Sequence, residues 1–180
     1  MTLLSDGPLY LTPMEEQFIP LKVKWINDPD VRHSLNFDYP LSVAGTKQWL
    51  YKICRDETRK DFVICLKADH TPIGYAGLLN IDFRNSKVET YLGIGEPGYW
   101  GKGYGTTTKR LLVEFAFYEL GLRRVYSYNW PENIGMTSIN RRLGFKVEGK
   151  LRQDVLSHGE YRDRILMALL RDDYNQGRKR

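Results

Sequence analysis

Ile94-Gly-Glu-Pro-Gly-Tyr-Trp-Gly-Lys-Gly-Tyr-Gly-Thr106 is the stretch on which the reading of this sequence turns. Gly101, Gly103 and Gly105 recur every second residue, between a segment that reads as a strand and one that reads as a helix. Glycine lets backbone N–H groups approach a ligand closely and adopts dihedrals other residues avoid. The first N–H groups of a helix have no partner inside it, and the helix dipole adds partial positive charge there. Such a loop is built for an anion, phosphate above all, and Lys102 adds a charge beside it. It is not a P-loop, because Gly103 follows Lys102 and no glycine stands at the required earlier position. Nor is it a dinucleotide fingerprint, since the sixth position is Thr106 or Thr108 and Arg123 and Arg124 stand where an acidic residue should hold a ribose. A glycine-rich turn without a ligand is the plainer alternative.

Before the loop, Phe62–Leu66, Ile73–Ile81 and Val88–Ile94 read as strands joined by short turns at Ala68–Pro72 and Asn85–Ser86, an antiparallel meander. Earlier still, Leu9–Leu11 reads as a strand and Glu15–Trp25 as a helix. Asp28-Pro29 opens a turn or new helix, and Ser42 caps a helix through Trp49, Leu50 and Ile53. After the loop a helix is expected over Thr106–Leu120, with Leu111, Leu112, Phe115 and Ala116 at helical spacing and Gly121 as its stop. Val125–Tyr128 reads as a strand and Asn133–Leu143 as a second helix ended by Gly144. Phe145–Val147 and Tyr161–Leu169 close the sheet around a His158-Gly159 turn, and the tail reads as a last helical turn. The sum is an α+β domain with a mixed, mostly antiparallel sheet flanked by helices.

The 180 residues fit one domain, taken as 1–180. Neither 42% hydrophobic nor 27% charged residues points to disorder. Cys54 and Cys65 form no C-x-x-C pair and read as reduced cysteines. No signal peptide and no 20-residue apolar run are visible, so a cytoplasmic location with no membrane partner is expected. The net charge of +5 sits partly in Arg178, Lys179 and Arg180, read as a frayed tail. It suits a polyphosphate ligand and does not by itself indicate nucleic acid. His33, His70 and His158 show no ligand spacing, and no metal is expected.

The loop segment resembles the pyrophosphate-binding motif of the GCN5-related N-acetyltransferase (GNAT) family. Asn133-Ile-Gly-Met-Thr-Ser-Ile-Asn-Arg-Arg-Leu-Gly-Phe145 is similar to that family's second signature. Glu148–Arg152 with His158–Asp163 and Leu166–Asp172 resembles the closing hairpin of the subgroup of RimJ/RimL-like ribosomal-protein and spermidine acetyltransferases, and Trp25–Arg32 resembles its early segment. The resemblance implies a GNAT-like (acyl-CoA N-acyltransferase) fold and direct transfer of acetyl from acetyl-CoA to a primary amine, without a metal.

By resemblance, Gly101, Lys102, Gly103, Tyr104, Gly105 and Thr106 would hold the pyrophosphate, although Trp100 stands where the motif usually has Gln or Arg. Asn133 would contact the pantetheine arm as well as cap its helix. The arm would pair with the open edge of Leu92, Gly93 and Ile94 as an added strand does, leaving the thioester near Leu92 and Gly93, where a backbone N–H could polarise its carbonyl. An alkyl ammonium with a pKa near ~10 needs a base; Glu89 is the candidate, on one strand face with Tyr91, and Asp82 is a weaker competitor. Many relatives protonate the leaving thiolate with a Tyr where this chain has Asn140, which donates a hydrogen bond but gives up no proton. Ser138, Tyr91 and a water are the substitutes. Asp28, Asp30 and Asp38 would support a polyamine acceptor, while Tyr10, Trp25, Phe37 and Tyr39 are core or acceptor-pocket residues. A protein N-terminus, polyamine, amino sugar or aminoglycoside-type compound remain open as acceptor, and the chain is expected to be a monomer or homodimer. The other reading is a non-catalytic acetyl-CoA-binding regulatory module.

Overall fold

The computed structural model describes residues 4–32, 35 and 40–178. Its spine is an eight-stranded sheet in the order β1-β2-β3-β4-β5-β6-β8-β7. The strands are β1 Leu4–Asp6, β2 Leu9–Pro13, β3 Lys60–Leu66, β4 Pro72–Asp82, β5 Lys87–Ile94, β6 Arg124–Asn129, β7 Lys146–Ser157 and β8 Glu160–Leu170. The helices are α1 Ile19–Asn27, α2 Pro29–Arg32, α3 Val43–Ile53, α4 Tyr104–Glu114, α5 Ile134–Arg142 and α6 Arg171–Gly177. All neighbouring strands run antiparallel except β5 and β6, so the sheet is the expected mixed, mostly antiparallel one. Among the described residues no helix is long and apolar enough to cross a membrane.

Side-chain alternation sends β5 to two different layers. Val88 joins Leu112, Val113, Ala116 and Phe117 in the larger core, beneath α4. Tyr91 packs on the opposite face with Trp25 and Ile26 of α1, Trp49 and Leu50 of α3, and Tyr75 of β4. Fully burying an aliphatic or aromatic side chain of this size is worth roughly 1.5–3 kcal/mol, so each layer holds its helices against the sheet.

The parallel pairing of β5 and β6 is short. Lys87, Val88 and Glu89 face Arg124, Val125 and Tyr126, and no pair follows. On its other edge β5 stays bonded to β4 from Glu89 through Ile94. The strands therefore diverge beyond Glu89, leaving the Thr90–Ile94 edge open toward β6.

Several boundaries differ from those read in the sequence. The helix expected over 106–120 starts at Tyr104, because Gly103 occupies the N-cap position with φ of 84°. It ends as an α-helix at Glu114 and widens into a π turn, Phe115–Glu119, where the Leu120 N–H reaches the Phe115 carbonyl. The segment expected as a helix over 15–25 is a 3₁₀ turn, Glu16–Phe18, followed by α1 with Pro20 in its first turn. Proline there forfeits no helical bond. The strand expected at 145–147 is the start of β7, which runs on to Ser157 through two irregularities in its pairing with β8. Strand β1 was not anticipated: three residues before Gly7-Pro8 carry too little pattern. Arg178 is not frayed, since it pairs with Glu114 at 2.7 Å. Lys179, Arg180, His33, Phe37, Asp38 and Tyr39 lie outside the described residues.

Candidate active site

The glycine loop hangs from the end of β5 and is fastened at both ends. The Glu96 carboxylate accepts from Trp25 Nε1 and Lys24 Nζ, each at 2.7 Å. The Trp100 indole donates to the Ile94 carbonyl at 2.8 Å. Gly101 and Gly103 both have positive φ, 74° and 84°, and a Cβ at either would meet nothing within 4 Å. The backbone here faces open space, and α4 begins with no side-chain cap on its N–H groups.

That space is a cavity of about 700 Å³. Leu92, Gly93, Ile94, Gly101, Gly103, Tyr104, Gly105, Thr106, Asn133 and Ser138 line it; Lys102 does not. The Lys102 ammonium lies instead 5.2 Å from the centre of the Tyr99 ring. Asn133 caps α5, its side chain accepting from the Met136 N–H at 2.9 Å, and it also lines the cavity.

A second cavity of about 800 Å³ opens on the α1–α3 face of the sheet and runs into the split. Leu92, Asn133 and Met136 border both cavities, so the two meet where β5 and β6 part. Glu89 and Tyr91 line the second one. Glu89 accepts from Asn80 Nδ2 at 2.9 Å, and partial burial holds its carboxyl above the ordinary range. Tyr91 donates to Asp61, whose carboxylate also takes a forked pair from Arg59 at 2.7 Å each. Burial first, then the Asp61 charge, raises the Tyr91 hydroxyl well above its usual pKa. A hydroxyl held this way is a poor proton donor to a thiolate, which corrects the expectation for Tyr91.

Asn140 requires a second correction. It is fully buried, borders neither cavity and donates to Ser127 Oγ at 3.0 Å. Its contact with any group in the split runs through Ser127, which does line the second cavity. Asp82 drops out as a base: it is tied to Asn85 in the β4–β5 turn and lines neither cavity. Asp28 spends its carboxylate on the Asp30 N–H, and Asp30 borders the loop cavity, so neither supplies acid to the second one. Among the described residues no group of three or more His, Cys, Asp or Glu is placed to hold a metal.

The residues that sequence reading passed over are two lysines. Lys109 of α4 is 1% exposed and lines the second cavity. Its ammonium donates to Thr90 Oγ1 at 2.6 Å, at the point where β5 leaves β6. Burial brings its pKa down to about 7, against a smaller opposing pull from Glu89. Lys22 of α1 is 6% exposed in the same cavity. The signal was available: Lys109 falls in register with Leu112 and Ala116, and Lys22 with Ile19 and Ile26, so each is a cation inside an apolar stripe. The split thus offers a raised carboxyl from one face and a lowered ammonium from the other, both suited to moving protons near neutral pH.

The chain matches the family model described as acetyltransferase (GNAT) domain over residues 9–146. It is 31% identical over 139 residues to the spermidine N(1)-acetyltransferase of Escherichia coli (strain K12), covering 77% of this chain and 73% of that one. It is 27% identical over 154 residues to the SPbeta prophage-derived uncharacterized N-acetyltransferase YokL of Bacillus subtilis (strain 168), covering 83% and 82%. A solved spermidine N-acetyltransferase from Vibrio cholerae, in complex with CoA and spermine, superposes with a TM-score of 0.87 at 22% identity, over 94% of this chain and 99% of that one. This last likeness concerns the fold.

Proposed function

Because this chain belongs to the GNAT acetyltransferase family, we propose that it acetylates a small primary amine seated in the second cavity, with Glu89 as base and Lys109 as acid. The enzyme is an acetyl-CoA-dependent N-acetyltransferase, and the reading takes 1–180 as one catalytic domain. The observation that carries the residue roles is the meeting of the two cavities at the β5–β6 split, with Glu89 and Lys109 both lining the second.

Gly101, Gly103, Gly105 and the first turn of α4 present N–H groups and a helix dipole to a pyrophosphate. The Thr90–Ile94 edge offers unpaired backbone groups to an extended amide-bearing arm, and Asn133 stands beside it. Acetyl-CoA supplies an acyl thioester, whose carbonyl carbon takes the amine and whose sulfur departs as thiolate. Glu89 accepts a proton from the acceptor nitrogen; its raised pKa narrows the gap to an ammonium. Lys109 gives a proton to the departing sulfur. An ammonium with a pKa of about 7 does so downhill toward a thiol of roughly 8.5. Asn129, whose buried Nδ2 has no partner among the described residues, lines the same cavity as a further donor. Ser138, a candidate proton donor in the sequence, borders the loop cavity and not the second one, which suits it to contact the arm instead.

Gly103→Val is expected to weaken acetyl-CoA binding roughly tenfold, because a branched side chain resists the left-handed conformation at a cost of about 1–3 kcal/mol. Calorimetric titration checks it, and unchanged affinity would move the pyrophosphate off this loop.

The reaction is tested by thiol release from acetyl-CoA with a panel of small primary amines, with acetylated product identified by mass. Amine-dependent release with matching product is the expected result. Silence with every amine, acetyl-CoA binding intact, would favour a binding module instead.

A further inference from the structure

Lys22 is a buried cation that the transfer chemistry does not use. Its ammonium sits 3.9 Å from the centre of the Trp49 ring and 5.3 Å from that of Tyr75. Among the described residues it has no carboxylate within ion-pair distance. Asp61 acts on it only from farther off, and that carboxylate is taken by Arg59 and Tyr91. Burial lowers its pKa only to about 8, so it remains charged at neutral pH. An ammonium held in an aromatic wall without an anion is costly, and aromatic faces return part of that cost.

The remaining polar groups of the cavity point the same way. Tyr75 Oη is buried without a partner among the described residues. The ring end of Tyr75 lies over Gly93, where a Cβ would come within 2.8 Å of it, so the hydroxyl stands beside the split. Arg59 and Arg164 line the cavity while their partner carboxylates, Asp61 and Asp154, do not. Glu89 is the one carboxylate among the described lining residues. Among the described residues the cavity therefore holds a single acidic position, at the reaction end, and cationic or neutral polar groups elsewhere.

We propose that the acceptor is an amino carboxylate, its amine at Glu89 and its carboxylate on the Lys22 ammonium. The inference rests on the acetyl-transfer reading and narrows its substrate. A polyamine would bring a second cation toward Lys22 with no carboxylate among the described residues to receive it, which disfavours the acceptor that the spermidine-acetylating relative is named for. Lys22 acts as a specificity residue: it holds the far end of the acceptor and leaves the reacting atoms to Glu89 and Lys109.

The test compares ω-amino acids of three to six carbons with their carboxamides and with diamines of equal length, reading kcat/KM from thiol release. The best amino acid is expected to exceed its carboxamide and its diamine at least tenfold. Lys22→Met, which removes the charge but keeps an unbranched stem, is expected to cut the acid-to-amide ratio at least tenfold through KM. Lys22→Arg should restore part of it. Diamines or amides used as well as acids, or an unchanged ratio in Lys22→Met, would overturn the proposal. The subsite is also read without turnover, by calorimetric binding of the same amino acids to the CoA complex. Binding that Lys22→Met abolishes supports the subsite even if no acceptor is acetylated, which would then count against the transfer reading alone. No binding to the wild-type complex would overturn the subsite itself.

Discussion

Glu89→Gln is expected to lower kcat about a hundredfold while acetyl-CoA affinity stays within twofold, since a positioned general base typically contributes 10²–10⁴. The amide keeps the shape of the side chain, so what disappears is the acceptor for the amine's proton. Glu89 is suited to the role because it is half-buried and its carboxylate accepts from the neutral amide of Asn80. Burial dominates its raised pKa. The variant has a second consequence. The Glu89 charge props up the Lys109 pKa, so in Glu89→Gln the Lys109 ammonium should titrate below its present value of about 7. Steady-state kinetics with titration of cofactor affinity check the first effect; turnover within twofold of wild type would remove Glu89 from the chemistry.

Lys109→Met is expected to lower kcat at least tenfold and to stabilise the fold at the same time. The folded-state pKa of Lys109, about 7, lies below the ~10.4 of an unfolded lysine. The unfolded chain therefore binds the proton more readily between those values, and stability rises with pH across that window. The penalty is fully present below pH 7 and gone above roughly 10.4. Replacing such a buried charge by an apolar side chain is commonly worth about 1–4 kcal/mol. At ~2–4 °C per kcal/mol for a domain of this size, Tm should rise by roughly 2–16 °C near neutral pH, with the gain shrinking toward pH 10. A structural lysine would lose stability on removal; one kept for proton transfer costs stability while present. Thermal unfolding at several pH values alongside turnover separates the two.

The loop and the second helix were legible because their residues act through backbone geometry. Glycines at 101, 103 and 105 before an apolar helical stripe have few structural meanings, and Asn133 followed by a helix has one local meaning that its cap bond realises. The strand meander was readable from alternation and turns. Tertiary arrangement was not. That β5 and β6 pair over three residues and then part depends on helices and strands distant in sequence. Asn140 stands in the sequence where relatives carry a Tyr and is expected to donate a hydrogen bond at the site, but the packing of α5 on β6 turns its side chain to Ser127. Tyr91 is a candidate proton donor in the sequence, and the meander brings Asp61 of β3 to its hydroxyl. Lys22 and Lys109 were hidden for the opposite reason: a lysine is read as surface by default, although helical register placed both among buried residues.

The paired roles of Glu89 and Lys109 are tested most directly by the pH dependence of kcat in the wild type, Glu89→Gln and Lys109→Met. The wild type should be bell-shaped, with an acid limb above the ordinary carboxylate range and an alkaline limb near pH 7. Glu89→Gln should lose the acid limb, and Lys109→Met the alkaline one. If both variants keep both limbs, proton transfer at the split is carried by other groups and the assignment fails.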